Sequence, residues 1–329
     1  MRFKRAITLP RDLKNILNDL NIQRHFIQLH IHPITSSFMK LNDGTLDDRD
    51  IQKIFNYYGL AVPAILGEAF CLLNGKKMTE RERCCSTAQG AMTGLFDDFF
   101  DKQFLDEENI KSAIENNIQP DRSSNEALFS LFYQKALKTA PAAALVKQRL
   151  LDVYQEQLES KKQLGGALSY ENLLELTQKK GATSLLFYYS AFCQKETAIE
   201  NNLIAKLGGW MQLSNDIFDV YKDRESGIDT LVTTCCDIKG LKTLYLTGIR
   251  KCFSEARNLP FNSRNIDAFL NRLSIGIFSR ALVCLSQLEK NQQVTGGKFE
   301  VNQYSRKQLI CDMDTAENKL QSLLQHLQI

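Results

Sequence analysis

The chain is poor in residues that interrupt or specialise a fold: six prolines, one tryptophan and four histidines in 329 residues. The prolines stand at 10, 33, 63, 120, 141 and 260, which leaves the stretch between Pro141 and Pro260 unbroken and favours long helices there. His25, His30, His32 and His326 form neither His-Glu-x-x-His nor Glu-x-x-His, which disfavours zinc proteases and di-iron bundles. There is no Gly-x-Gly-x-x-Gly, no Gly-x-x-x-x-Gly-Lys-Ser/Thr and no Gly-x-Ser-x-Gly, so dinucleotide, P-loop and serine-hydrolase chemistries are set aside. Nine cysteines, two pairs of them adjacent (Cys84-Cys85 and Cys235-Cys236), match no zinc spacing or disulfide framework and read as reduced thiols.

No run approaches eighteen uninterrupted apolar residues, and the N-terminal Met-Arg-Phe-Lys-Arg is not followed by an apolar signal region. The expectation is a soluble, cytoplasmic protein with no stable membrane anchor. Charge is nearly balanced, 41 Lys+Arg against 38 Asp+Glu, which argues against nucleic-acid wrapping. The surplus is local. Residues 1–40 hold Arg2, Lys4, Arg5, Arg11, Lys14, Arg24 and Lys40 against Asp12 and Asp19, a pattern that suits a solvated face.

Apolar residues recur at helical spacing through Val146, Leu150, Val153 and Tyr154, through Leu185 to Phe192, and through Ile266, Phe269, Leu270, Leu273 and Ile277. Sustained strand alternation is hard to find. Helix starts are legible at Thr79 before Glu80 and Glu82, and from Asp121 to Asn125 before Glu126. Gly75, Gly165-Gly166, Gly181, Gly227, Gly240 and Gly296-Gly297 read as stops or connections, and Cys235 to Lys242 and Glu289 to Lys298 as surface loops. The expectation is ten or more helices in a single all-α domain over 1–329, with 1–40 a basic segment packed on or near it.

Two acidic constellations stand out. The first is Asp97-Asp98-Phe99-Phe100-Asp101, near the end of a helix predicted from Thr79 to Phe104. Asp97 and Asp101, at i and i+4, share one face, and Asp98 is rotated toward a neighbouring one. The second runs from Asn215 to Asp223, with Asn215, Asp219 and Asp223 at i, i+4 and i+8 on one face. Aspartates at that spacing repel one another and form helix poorly, so an undirected surface would favour Glu/Lys alternation. Hard oxygen donors in this number suit Mg²⁺, which takes one or two carboxylates and fills its remaining positions with water and phosphate. Two like charges about 4 Å apart repel by about 4 kcal/mol at an effective dielectric of about 20, so such faces need divalent ions to hold a polyanion.

Asp-Asp-x-x-Asp, followed over a hundred residues later by Asn-Asp-x-x-x-x-x-Lys-Asp, resembles the class I terpenoid synthases. The continuation Lys222-Asp223-Arg224-Glu225-Ser226-Gly227-Ile228-Asp229-Thr230-Leu231-Val232 is similar to that family's Lys-Glu, Gly, Asn-Leu-Val run. The resemblance is sharp over 88–104 and 208–232. It implies a helical bundle with a central cavity, the two motifs on opposite walls, and three Mg²⁺ around a linear isoprenoid diphosphate of fifteen or twenty carbons. Asp97 and Asp101, with Asp98 weaker, would bind metal on one wall and Asn215, Asp219 and Asp223 on the other. Lys222 would contact diphosphate. Lys179 and Lys180 stand where the family carries an upstream Arg, and Tyr304 and Arg306 near its C-terminal Arg-Tyr pair, in inverted order. The resemblance further implies a small-molecule partner and a homodimer.

Two departures bear on subclass: Asp219 replaces the family's Ser or Thr, and Asp223 its Glu. Asn215-Asp216-x-x-Asp219 also resembles the second aspartate motif of chain-elongating prenyl diphosphate synthases. Those enzymes place an Arg pair after the first motif, where this chain has Asp106-Glu107, so a single-substrate cyclase is the favoured reading and chain elongation the alternative. Phe70, Phe96, Phe100, Phe187, Tyr188, Phe192, Trp210 and Phe218 are available to shield a carbocation, or as plain core. A non-catalytic helical scaffold is the second alternative, and a glycosidase with paired carboxylates a distant one.

Overall fold

The computed structural model describes residues 2–102, 105–116, 123–166 and 168–329, with all their side chains except those of Arg2, Phe3, Asp101 and Asn116. The described chain is all-α. Helices α1 (Arg2–His30), α2 (His32–Lys40), α3 (Asp48–Leu73) and α4 (Glu80–Asp101) lead into α5 (Glu107–Asn116), α6 (Ser124–Thr139) and α7 (Ala143–Ser160). Then come α8 (Tyr170–Tyr189), α9 (Ala198–Glu225), α10 (Ile238–Ala256), α11 (Ser263–Val294), α12 (Arg306–Leu309) and α13 (Ala316–His326). Among the described residues there is no strand, only an isolated bridge between Leu164 and Ile228.

The chain divides into two compact units. One comprises Pro10–Tyr154 and Phe187–Glu196. Its centre is α4 packed on α3 and α6, with Phe70, Phe99, Phe129, Phe132 and Tyr133 fully buried. Each such ring contributes about 1.5–3 kcal/mol through burial, which outweighs the weak helix propensity of aromatic residues. Gln23, Arg83 and Glu68 form a polar link inside this core: Arg83 donates to Gln23 Oε1 at 3.0 Å and to Glu68 Oε1 at 2.7 Å, and Gln23 donates to the Gly59 carbonyl.

The other unit comprises Met1–Leu9, Gln155–Leu186 and Thr197–Ile329. Here α9 packs on α10 and α11, and α11 on α13, around Tyr245, Phe253, Phe269 and Phe278. His326 is wholly buried with its ring nitrogen 2.8 Å from Ser274 Oγ, whereas His30 and His32 are exposed.

Several sequence expectations need correction. Gly181 lies inside α8 and Gly240 in the first turn of α10, so neither stops a helix. Gly75, Gly165, Gly166, Gly227, Gly296 and Gly297 do have positive φ. The expected loops are shorter, because α10 begins at Ile238 and α11 continues to Val294. Pro10 is carried inside α1, and Pro63 inside α3 where the backbone widens into π-turns at Val62–Gly67. The helix expected from Thr79 to Phe104 runs Glu80–Asp101, with Phe104 outside the described residues. Ser123 caps α6, and Asp121 lies outside the described residues. Helices α3 and α11 are long and apolar enough to cross a membrane by length and composition, and their most apolar windows are 61% and 78% buried inside the protein.

Candidate functional site

The first acidic motif closes α4, in the unit centred on that helix. Thr79 starts α4 with a reciprocal cap to Glu82, which fixes the register that puts Asp97, Asp98 and Asp101 in the last turn. That turn has no basic residue of its own, and it stands at the negative end of the helix dipole. The compensation is imported. A Cβ at Gly90 would meet the Tyr58 carbonyl oxygen at 2.5 Å, so only glycine lets α3 lie this close to α4. One turn on, the Lys53 stem crosses the notch at Gly94, where a Cβ would meet Lys53 Cδ at 2.9 Å. Lys53 Nζ thereby reaches Asp98 Oδ1 at 3.0 Å.

Asp98 is 2% exposed and Asp50 of α3 1%. Lys102, just past α4, lies 2.8 Å from Asp98 Oδ2 and 3.1 Å from Asp50 Oδ2, and Lys53 lies 3.7 Å from Asp50. Burial, reinforced by the neighbouring Asp98, holds the Asp50 carboxyl above its ordinary range. Burial acts to lower both lysines, but their bonds and attraction to Asp98 and Asp50 prevail and raise them. Asp97 is half-buried one turn beyond Thr93, whose hydroxyl lies 2.9 Å from the buried Tyr188 hydroxyl. The Asp101 side chain lies outside the described residues. Asp106 caps α5: its Oδ1 accepts from the Asn109 N–H at 2.8 Å, and Glu107 opens that helix. Of the expected aromatics, Phe70, Phe96, Phe187, Tyr188 and Phe192 are buried in this unit, with Phe96 5.4 Å from the Phe100 ring and stacked on Phe129.

The second motif lies on α9, in the other unit, and a glycine crossing positions it. A Cβ at Gly181 of α8 would meet the Gly208 carbonyl oxygen at 2.1 Å, and one at Gly208 would meet the Gly181 oxygen at 2.2 Å. Backbone contact here brings the preceding turn of α8 against the following turns of α9. Gln212 Nε2 donates to Asp216 Oδ1 at 2.8 Å, and the Thr177 hydroxyl approaches Asp216 Oδ2 at 3.4 Å. Asn215 Nδ2 donates to Asp219 Oδ2 at 3.3 Å.

Asp216, at i with Asp219 at i+3 and Asp223 at i+7, is the residue the sequence reading leaves out of the site. Its spacing is the signal that could have found it, since those three positions recur on one helical face. Burial pushes the Asp216 carboxyl up to about 6 against the pull of Gln212 and Lys180. Burial, with repulsion from Asp216 and Asp219, pushes Asp223 up to about 7. Asp219 is raised by burial against Lys222, Asn215 and Lys180. Among the described residues, neither Asp219 nor Asp223 has an ion pair within 4 Å.

The structure separates the cations. Lys180 is half-buried and acts electrostatically on all three aspartates, whereas Lys179 is exposed and pairs with Glu175 at 2.7 Å. Lys222 is exposed. Arg306 is exposed too, its guanidinium 5.8 Å from the Tyr221 ring, which Arg224 also faces at 4.9 Å. Tyr304 is buried, stacked on Phe299, with its hydroxyl on Thr295, and its carbonyl accepts from Arg224 at 2.6 Å. Gly227, at φ +65°, ends α9 by letting the Ile228 N–H turn back to the Asp223 carbonyl. Trp210, half-buried, packs over Gly248 and edge-on to Tyr245, and Phe218 is half-buried too.

Among the described residues no group of three or more His, Cys, Asp or Glu is arranged to hold a metal by itself. No family model and no curated protein matches the chain. Among solved structures it is similar to a dehydrosqualene synthase crystallised with a ligand, at 14% identity and a TM-score of 0.47, over 96% of this chain and 97% of that one. A likeness of that strength assigns no activity to the chain.

Proposed function

We propose that the protein is a Mg²⁺-dependent enzyme of isoprenoid metabolism that binds one linear prenyl diphosphate of fifteen or twenty carbons, ionises it and cyclises the cation, as a class I terpene synthase does. The observation that carries this reading is the α9 face. Among the described residues none of its three aspartates has an ion pair within 4 Å, burial raises all three, Lys180 acts on all of them and Lys222 on Asp219 and Asp223.

That donor set fits Mg²⁺: Asn215, Asp219 and Asp223 are hard oxygen donors, and the ion takes its remaining ligands from water and phosphate. On the other motif, Asp97 and Asp101 are the corresponding donors. Up to three bound Mg²⁺ would neutralise diphosphate and polarise its departing oxygen. The chain's own part is to hold the anion and exclude water. Lys222, Lys180 and Arg306 supply positive charge for diphosphate, and Asn215 orients Asp219 through its amide. A cation at this face would offset the burial that raises Asp216 and Asp223 and favour their ionised forms. Phe96 and Phe100 offer π-faces that stabilise positive charge without a nucleophile, and Tyr188 offers another, its hydroxyl held by Thr93.

The test is product analysis by gas chromatography and mass spectrometry with Mg²⁺ and C10, C15 or C20 diphosphate, each with and without isopentenyl diphosphate. A cyclic hydrocarbon or alcohol from one diphosphate alone is expected. A longer linear diphosphate, made only when isopentenyl diphosphate is present, would replace cyclisation by chain elongation. A second reading, a non-catalytic helical protein, is favoured by one observation: Asp98 is already held by two lysines. It fails if Mg²⁺ with inorganic diphosphate raises the melting temperature of the wild type and Asn215→Ala abolishes that rise.

A further inference from the structure

The four charges around Asp98 have more geometry behind them than a surface salt bridge needs. Two carboxylates from different helices, Asp50 on α3 and Asp98 on α4, are almost wholly buried. Two lysines meet both of them: Lys53 at 3.0 and 3.7 Å, and Lys102 at 2.8 and 3.1 Å. The charges balance two against two. Lys53 gets there by two backbone features, the π-turns over Lys53–Tyr57 and the notch at Gly94. Asp50 is fixed in addition by its reciprocal cap with Asp47 at the start of α3, and Lys102 touches Asp47 as well, at 3.4 Å.

We propose that Asp98 is not a metal ligand but the anchor of a four-charge lock, with Asp50, Lys53 and Lys102, that fixes the last turn of α4 and so positions Asp97. The inference rests on the reading of Asp97 as a metal-binding residue. A metal at Asp98 would have to displace two ammonium groups from a buried carboxylate. Asp97, half-buried on the adjoining face, is not one of the two carboxylates that these four contacts join, and Lys53 acts on it electrostatically. In this arrangement Lys53 and Asp98 are positioning residues, and the order they impose is present before any ligand binds.

A double-variant cycle tests it. Lys53→Met leaves two buried carboxylates with one lysine, and is expected to lower the melting temperature by roughly 5 °C or more, because an unpaired buried charge is costly. Lys53→Met with Asp98→Asn restores one carboxylate to one lysine, and is expected to regain at least about half of that loss, since removing both members of a buried pair costs less than removing one. The same proteins are melted with Mg²⁺ and inorganic diphosphate. Because Asp98 is no ligand and Asp97 is retained, the double variant is expected to keep most of the wild-type ligand shift. If the double variant is no more stable than Lys53→Met, or if Asp98→Asn removes a shift that wild type shows, the proposal is overturned.

Should Lys53→Met not fold, Asp98→Asn alone decides through its ligand shift, retained for a lock and lost for a ligand. A wild type with no shift at all overturns the metal reading of Asp97, while recovery in the stability cycle still upholds the lock.

Discussion

The last turn of α4 and the last turns of α9 use the same side chain, aspartate, in near-identical i, i+4 spacing, and the protein treats them in opposite ways. At α4, lysines 45 residues upstream and four residues downstream of Asp98 are brought onto it, and the charge is met inside the fold. At α9, Asp219 and Asp223 have amide and electrostatic neighbours but no ion pair among the described residues, and their carboxyls are pushed up. A buried carboxylate with a lysine on each oxygen stabilises structure; one left short of positive charge is a place for a cation to arrive.

The largest effect that separates the two is on turnover. Asp219→Ala or Asp223→Ala is expected to reduce the rate of diphosphate release by about a thousandfold, the scale of losing about 4 kcal/mol of transition-state stabilisation. Asp98→Asn should cost no more than about tenfold, because it moves Asp97 without removing a donor. Steady-state assays of inorganic diphosphate release rank the three. Equal losses at Asp98 and Asp219 would erase the contrast.

Next in size is the backbone geometry beneath each site. Gly208→Val is expected to destabilise the protein by about 3 kcal/mol or more, since its Cβ would stand 2.2 Å from a main-chain oxygen that cannot move without separating α8 from α9. Gly94→Ala meets only the flexible Lys53 stem, at 2.9 Å, and should cost about 1 kcal/mol. Urea unfolding measures both. A cheap Gly208→Val would mean that the crossing can open.

Much of this was legible beforehand, and the failures have physical reasons. Helical periodicity, the Thr79 cap and the Gly227 stop are local signals, and they hold. Gly181 misleads because a glycine needed for close approach of two helices looks, in one dimension, like a glycine needed for positive φ. The lock was not legible at all: nothing local ties Lys53 to Asp98, and the contact depends on π-turns and a notch that exist only once α3 lies on α4. Asp216 was visible in the spacing, but Asn215 drew the reading onto the i, i+4, i+8 face. Whether the expected metal-binding roles of Asp97, Asp101, Asn215, Asp219 and Asp223 hold is what the ligand experiments decide.

A smaller effect, and a directional one, is on pH. Asp216 and Asp223 titrate near 6 and near 7 in the folded chain, against about 4 unfolded. The folded state therefore holds more protons than the unfolded one between about pH 4 and pH 7, so without divalent cation stability falls as pH rises through that window. Asp223→Asn should reduce the fall across the whole window and remove most of it above about pH 6, whereas Asp216→Asn should reduce it only below about pH 6. Melting curves from pH 4 to pH 8 with chelator present check this. A stability that instead rises steadily across the window would mean that these carboxylates are better solvated than their burial implies.

The smallest effect concerns the acids that weighed against chain elongation. Asp106 accepts the Asn109 N–H, and Glu107 sits in the first turn of α5, where negative charge complements the helix dipole. Acids at those positions are what any helix start prefers, so they count for less against a second diphosphate than their sequence position suggests. Asp106→Ala is expected to cost about 1 kcal/mol of stability, the usual loss of a cap, with the product from a single diphosphate unchanged. If the same variant instead begins to consume isopentenyl diphosphate, Asp106 was excluding a second anion, and the choice between cyclisation and elongation rests on that residue after all.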